Sequence, residues 1–327
     1  MSKTDKVYDA IVVGTGGAGG WAAKELAEKG LEILVLEAGP RLDPAKDFNQ
    51  HKFPYEMKYR GYDRPGERER TYPNQWTASE YSKQLYVKDA EHPYTTAKGK
   101  PFVWVRSRFV GGKLLHWGRN ARRLSDYDFR AADRDGYGEN WPIRYADIAP
   151  YYDKVESFVG VHASIENIPH LPDGKYMPPM PLNCGEKIIQ KIAPKVGMRV
   201  IPKRAAQRNG NINGLGKCHY CGSCGYGCDA GAFWNSVSDC LPAGMKTGRM
   251  TLRPNSVVRE VTVDENGKAR GVSFVDRISK KDYEVRAKVV VLAAAGWEST
   301  RIMLNSISRI WPNGIANSSG VLGHYLM

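Results

Sequence analysis

Short, continuous apolar runs bounded by glycine punctuate both ends of this chain. They read as buried strands: Tyr8-Asp9-Ala10-Ile11-Val12-Val13, Ile33-Leu34-Val35-Leu36, and Val289-Val290-Val291-Leu292-Ala293-Ala294-Ala295-Gly296. Between the first two, Trp21, Ala22, Leu26 and Ala27 recur at helical spacing. The third run is apolar on both faces and belongs inside a parallel sheet, beside the first strand. A helix is expected after it, from Glu298 to Leu304. The pattern predicts an α/β fold with a Rossmann-like domain assembled from both ends of the chain, and something else in the middle.

The middle is less periodic. From Asp43 to about Pro101 the chain is polar and rich in Tyr, Pro and Arg, as loops and short helices are. A stretch of that length reads as a lid, an arm or an interface, and an arm reaching another subunit is one expectation. Phe102-Val103-Trp104-Val105-Arg106 reads as a short strand, and Tyr127 to Asp135 as helical. A helix with a proline-marked start runs from Trp141-Pro142-Ile143 to Val155, with Ile148, Tyr151, Tyr152 and Val155 as core positions. A proline-rich connector covers 164–182, helical sequence resumes over Gly185 to Val196, and Asn209 to Gly214 is turn material. Phe233 to Met245 is again helical. Strands follow at Met250-Thr251-Leu252-Arg253 and Val257 to Val263, then a hairpin turn at Asp264-Glu265-Asn266-Gly267, answered by Gly271 to Val275 and Tyr283-Glu284-Val285.

The first strand runs straight into Gly14-Thr15-Gly16-Gly17-Ala18-Gly19-Gly20. In a strand–turn–helix context the three glycines at Gly14, Gly16 and Gly19 serve a tight turn, the approach of a pyrophosphate, and close helix–strand contact. The helix beginning there points unpaired amide donors at the phosphates. Glu37, 18 residues beyond Gly19, stands where a carboxylate accepts from ribose hydroxyls, and it would repel the 2′-phosphate of NADP. An NAD-dependent enzyme would need a second such fingerprint or a catalytic dyad, and neither is evident.

At 327 residues, 42% of them hydrophobic, the chain is long enough for two cores. Its formal charge of +13 would suit an anionic partner, yet Lys and Arg are scattered apart from Arg119-Asn120-Ala121-Arg122-Arg123. No nucleic-acid module is recognisable, so nucleic acid is not an expected partner. No run approaches the roughly 18 apolar residues of a membrane span. The N-terminus lacks the apolar stretch of a signal peptide. A cytoplasmic location is expected from the chain alone, or a periplasmic one if it is exported with a signal-bearing partner.

Cys218, Cys221, Cys224 and Cys228 have the spacing C-x2-C-x2-C-x3-C in a glycine-loosened loop. Ferredoxin-type segments use this spacing to hold an iron–sulfur cluster, although the usual following proline is Asp229 here. Four thiolates can also hold zinc, and structural thiols or disulfides are a third reading. Cys184 and Cys240 stand alone and are expected to pack as small hydrophobes.

Four ordered stretches, Val13 to Gly20, Leu36 to Gly39, Val110-Gly111-Gly112-Lys113-Leu114-Leu115-His116-Trp117-Gly118 and Val291 to Ser299, resemble the GMC (glucose–methanol–choline) oxidoreductases. The cysteine segment and the aromatic-rich arm are most similar to bacterial sugar and glucoside dehydrogenases of that family. The resemblance implies a glutathione-reductase-like FAD-binding domain with an inserted, incomplete cap or substrate domain. The implied division is 1–42 and 249–327 for the FAD-binding domain, 43–101 for the arm, 102–125 for a flavin-contacting segment, and 126–248 for the cap with the cysteines.

It further implies that Gly14, Gly16, Gly17 and Gly19 hold the FAD pyrophosphate and Glu37 the adenosine ribose. Gly111 and Gly112 would pass beside the flavin, Val258 near the adenine, and Gly296 would close the strand that faces the cofactor. In some relatives the histidine of the Gly-Gly-x-x-x-His-Trp run is bonded covalently to the flavin. His116 fits that pattern, with a histidine hydrogen-bonded in a packed loop as the alternative.

The family's catalytic base comes from a C-terminal portion beyond the motif Gly320 to Met327, so no catalytic residue is assigned and His324 is not a candidate. The expected activity is oxidation of a CH–OH group of a sugar or glycoside. Electrons would pass through the cysteine-held centre, with a small subunit and a cytochrome or quinone as partners. The alternatives are a non-catalytic flavin-binding fragment or subunit, and an oxidase using oxygen. Trp104, Trp117, Trp141 and Trp234 are candidates for stacking on a sugar ring, with packing as the other reading.

Overall fold

The computed structural model describes residues 2–210 and 216–325. The turn expected over 211–214, and Leu326 and Met327 of the final motif, lie outside the described residues. The chain divides into two compact units: Met1–Trp117 with Gly222–Asp229 and Asn235–Met327, and Gly118–Cys221 with Ala230–Trp234.

The first unit is built on β1 (Ser2–Val13), α1 (Gly17–Glu28), β2 (Ile33–Leu36), α2 (Cys240–Lys246), β3 (Met250–Arg253), β4 (Ser256–Val263), β5 (Ala269–Asp276), β6 (Asp282–Leu292) and α3 (Gly296–Asn305). Its six strands form one sheet in the order β3-β2-β1-β6-β5-β4. β3, β2, β1 and β6 are parallel, and β5 and β4 extend the sheet as antiparallel strands. Val13 is level with Leu36 on one side and Leu292 on the other, so three parallel strands end together.

Alternation along β1 feeds two cores, because successive side chains leave a strand on opposite faces. Ala10 and Val12 pack with Ala23, Ala27 and Leu241. Ile11 and Val13 pack with Val258, Phe274 and Ile302. The runs at Tyr283 to Val285 and Val289 to Leu292 prove to be one strand, β6. The turn between β4 and β5 falls where expected, with Gly267 at φ +77 and Asp264 Oδ1 accepting from the amides of Asn266 and Lys268, each at 2.9 Å.

Several expectations are corrected. Residues 102–106 form no strand. Their backbone groups bond instead to side chains: Gln75, fully buried, accepts from Arg106 N at 2.8 Å and donates to Trp104 O at 3.1 Å, while Tyr94 Oη accepts from Trp104 N at 2.8 Å. The helix expected from Phe233 begins only at Cys240, because the Asn235 side chain accepts from the amides of Val237 and Ser238, each at 3.0 Å, and holds a turn there. Tyr151 is exposed rather than core.

The second unit contains the helices Tyr145–Val159 and Cys184–Ile192. Its interior holds a charged knot: buried Arg123 donates from Nε to Glu156 at 3.0 Å and from a terminal nitrogen to Tyr145 Oη at 2.8 Å. Cys184, expected to be packed, is exposed at the start of its helix, whereas Cys240 is buried. Among the described residues no helix is long and apolar enough to cross a membrane.

Candidate functional site

A cavity of about 1000 Å³ opens at the carboxyl ends of β1, β2 and β6. This is where ligands of open parallel sheets bind. Its walls include Gly14 to Ala18, Glu37, Gly112 to Leu114, Ser256 to Val258, Ala293 to Ser299, Arg301 and Ile302.

Gly14 turns at φ +97, and a β-carbon there would lie 2.5 Å from Ala293 O. A β-carbon on Gly19 would lie 2.0 Å from Gly14 O, so α1 starts directly against the turn. Gly16, the residue before α1, has nothing within 4 Å of its β-carbon position. It leaves open space in front of a 12-residue helix whose N-terminus has no side-chain cap and no acidic residue in its first turn. A helix end built this way offers unpaired amides and a positive dipole to an anion. Gly17 is the first residue of that helix and also lines the cavity.

Glu37 ends the β2 side of the cavity and is nearly buried. Its Oε2 accepts from Thr15 N at 3.1 Å and Thr15 Oγ1 at 2.6 Å, and its Oε1 from Gly39 N at 3.0 Å. Burial pushes its carboxyl above the usual range against those donors. Gly111, at φ +95, donates its amide to Thr15 Oγ1 at 2.9 Å, and a β-carbon on Gly112 would come 3.7 Å from Gly16 Cα. The two glycine segments therefore meet. Val258 is buried in β4 and lines the cavity. Gly296 lines it at the first turn of α3, after Ala295, which is held at φ +67.

His116 is placed differently. It is absent from the cavity wall; its Nε2 lies 3.1 Å from Ser107 Oγ, with the ring edge-on to Tyr86 at 5.1 Å. Burial, and then Lys113, lower its pKa to about 4. Trp104 and Trp117 line the cavity, whereas Trp234 is buried and Trp141 is exposed against Phe129.

Cys218 and Cys221 belong to the second unit, Cys224 and Cys228 to the first. Among the described residues no group of three or more His, Cys, Asp or Glu side chains could hold a metal ion. Cys218 Sγ accepts from Gln207 Nε2 at 2.7 Å, and Gly227, at φ +100, packs so closely on Phe48 that a β-carbon would lie 2.5 Å from the ring.

The sequence did not single out a charged cluster on the cavity wall. Arg108 pairs with Glu298, whose other oxygen accepts from Arg301 Nε at 2.6 Å. Burial opposes the charge on Glu298, and the two guanidiniums outweigh it, holding the carboxyl below its usual range. Glu298 and Arg301 are spaced i, i+3 on α3, a weak signal found on many exposed helices. Nothing local in the sequence points to Arg108 as their partner.

The profile of the GMC oxidoreductases matches residues 8–310. The chain belongs to the GMC oxidoreductase family. This family binds FAD, and the open helix N-terminus, the glycine turns and the buried acid of this cavity are the features that cofactor requires. The chain is 28% identical over 340 residues to the fructose dehydrogenase large subunit of Gluconobacter japonicus, covering 100% of this chain and 59% of that protein. It is 26% identical over 325 residues to paromamine 6'-oxidase of Streptomyces fradiae, covering 98% and 54%. The chain thus spans little more than half the length of these relatives. In fold it is similar to an FAD-dependent oxidoreductase from Chaetomium thermophilum, with TM-score 0.53 and 16% identity over 91% of this chain and 47% of that one.

Proposed function

We propose that this GMC oxidoreductase chain forms the FAD-binding part of a dehydrogenase that oxidises a CH–OH group of a sugar or glycoside and passes electrons to an acceptor other than oxygen. The observation that carries the reading is the cavity at the strand ends, with Gly16 leaving space before α1 and Glu37 beside it. The α1 amides and Gly14 to Gly19 would hold the pyrophosphate, Glu37 the ribose, and the β4 segment at Val258 the adenine. Gly111 and Gly112 would let the flavin approach the backbone. FAD, when bound, supplies the hydride acceptor. The substrate class rests on what the relatives' names say of those proteins, and a small subunit with a cytochrome or quinone acceptor rests on one of them being a large subunit. On this reading 1–42 and 249–327 serve the cofactor, 102–117 the flavin and 118–221 the substrate side, while 222–229 and 235–248, expected with the cap, belong to the unit that carries the sheet.

We take the FAD to be held without a covalent bond. His116 Nε2 is engaged by Ser107 Oγ and is not on the cavity wall, which supports this choice. A second reading, a flavin-binding portion that acts only with further polypeptide, is supported by the 59% share of the fructose dehydrogenase subunit.

The test is to purify the chain with excess FAD, measure flavin per chain, release the flavin with acid, and assay reduction of a dye and of oxygen with a panel of sugars and glycosides. One flavin per chain, released by acid, with dye reduction on a sugar bears the proposal out. Flavin without turnover favours the second reading, oxygen reduction makes the protein an oxidase, and a chain that takes up no flavin overturns both readings.

A further inference from the structure

Thr15 lies between the first two glycines of the motif and is fully buried. Its amide and its hydroxyl both donate to Glu37 Oε2, at 3.1 and 2.6 Å. The same hydroxyl accepts from the amide of Gly111 at 2.9 Å. Its carbonyl accepts from Ser236 Oγ at 2.5 Å. A hydroxyl has one proton to donate and lone pairs to accept with. The carboxylate of Glu37 can only accept and an amide can only donate, so the direction of each bond is fixed.

We infer that Thr15 is a positioning residue whose hydroxyl joins the acid at the adenosine end of the cavity to the glycine segment at its flavin end, so that the two ends hold FAD as one unit. This rests on the FAD reading above. It goes further by making the two halves of the cofactor site energetically dependent. Gly111 is closely packed: at φ +95 a β-carbon there would lie 2.6 Å from Val237, and one on Gly112 would come 3.7 Å from Gly16 Cα. A shift of the Gly111 amide is therefore carried to the pyrophosphate turn, and a ligand group that displaces Glu37 is carried back to Gly111. The sequence hides this role, because a threonine between glycines in such a turn reads as filler.

Thr15→Val keeps the shape, removes the hydroxyl, and leaves the Gly111 amide without its acceptor. Thr15→Ser keeps the hydroxyl. The experiment compares the wild-type chain and both variants for affinity to FAD and to ADP, and for amide exchange at Gly111 in the cofactor-free chain. Thr15→Val is expected to speed Gly111 exchange and to weaken FAD about tenfold, with a smaller loss for ADP, which cannot reach Gly111. Thr15→Ser is expected to restore both to within roughly threefold of wild type.

Equal losses for ADP and FAD, unchanged exchange at Gly111, or a serine variant that behaves like valine overturns the inference. A wild-type chain that binds no FAD overturns the functional reading instead. In that case the exchange data still decide whether the hydroxyl links the two segments.

Discussion

A β-carbon on Gly14 would sit 2.5 Å from the carbonyl oxygen of Ala293, so the first turn of the glycine motif is pressed against the end of β6. Both residues line the cavity, and Gly14 adopts φ +97. Gly14→Ala is therefore expected to destabilise the chain by at least about 2 kcal/mol, through left-handed strain and overpacking together. Urea unfolding with flavin retention measured on the same sample checks it; a stability equal to wild type would show that the turn can move.

Gly16 offers the opposite case. Its φ of −64 suits any residue, and nothing lies within 4 Å of its β-carbon position. Gly16→Ala should leave cofactor-free stability within about 0.5 kcal/mol while lowering FAD affinity roughly tenfold, because the new methyl occupies the space in front of the α1 amides. Titration with FAD and a thermal melt of the cofactor-free chain separate the two effects. Unchanged affinity would place the pyrophosphate elsewhere.

Glu298 stands between two guanidiniums, and its side chain and that of Arg108 are only 16% and 20% exposed. Glu298→Ala leaves Arg108 and Arg301 without this shared acceptor and should cost roughly 1–3 kcal/mol. Arg108→Ala should cost less, since Arg301 continues to pair with Glu298 at 2.6 Å. Denaturation midpoints for the two variants give the order, and a reversed order would mean that Arg301 does not hold Glu298 alone.

Stability should fall on mild acidification. Burial lowers both His92 and His116 from 6.5 to about 4, with Arg108 next in effect at His92 and Lys113 at His116. Above pH 6.5 both rings are neutral whether the chain is folded or unfolded. Between about 6.5 and 4 the unfolded chain takes up protons that the folded chain refuses, so stability drops as pH falls. The limiting slope is about 1.4 kcal/mol per pH unit for each ring, reduced by solvent at half-buried His92. His92→Gln/His116→Gln should flatten the melting temperature against pH in this window, and a slope equal to wild type would contradict the burial.

By itself the sequence determined the β1–glycine turn–α1–β2–Glu37 unit. Each part is local: a buried run fits a central strand, Gly14 must take positive φ, Gly19 must admit its neighbour's backbone, and Glu37 follows at the distance set by one helix and one strand. The same held for the β4–β5 hairpin, whose turn residues bond to one another.

Tertiary structure alone decided the rest, because contacts between distant segments leave no periodic trace. Gln75 and Tyr94 take the backbone bonds of residues 102–106 that a strand would have used. Ser107, on the cavity wall, engages His116 at 3.1 Å, while His116 itself is not part of that wall. Arg108 meets Glu298, and Thr15 meets Gly111, only because the sheet brings the ends of β1 and β6 side by side and the loop before Gly111 folds over them.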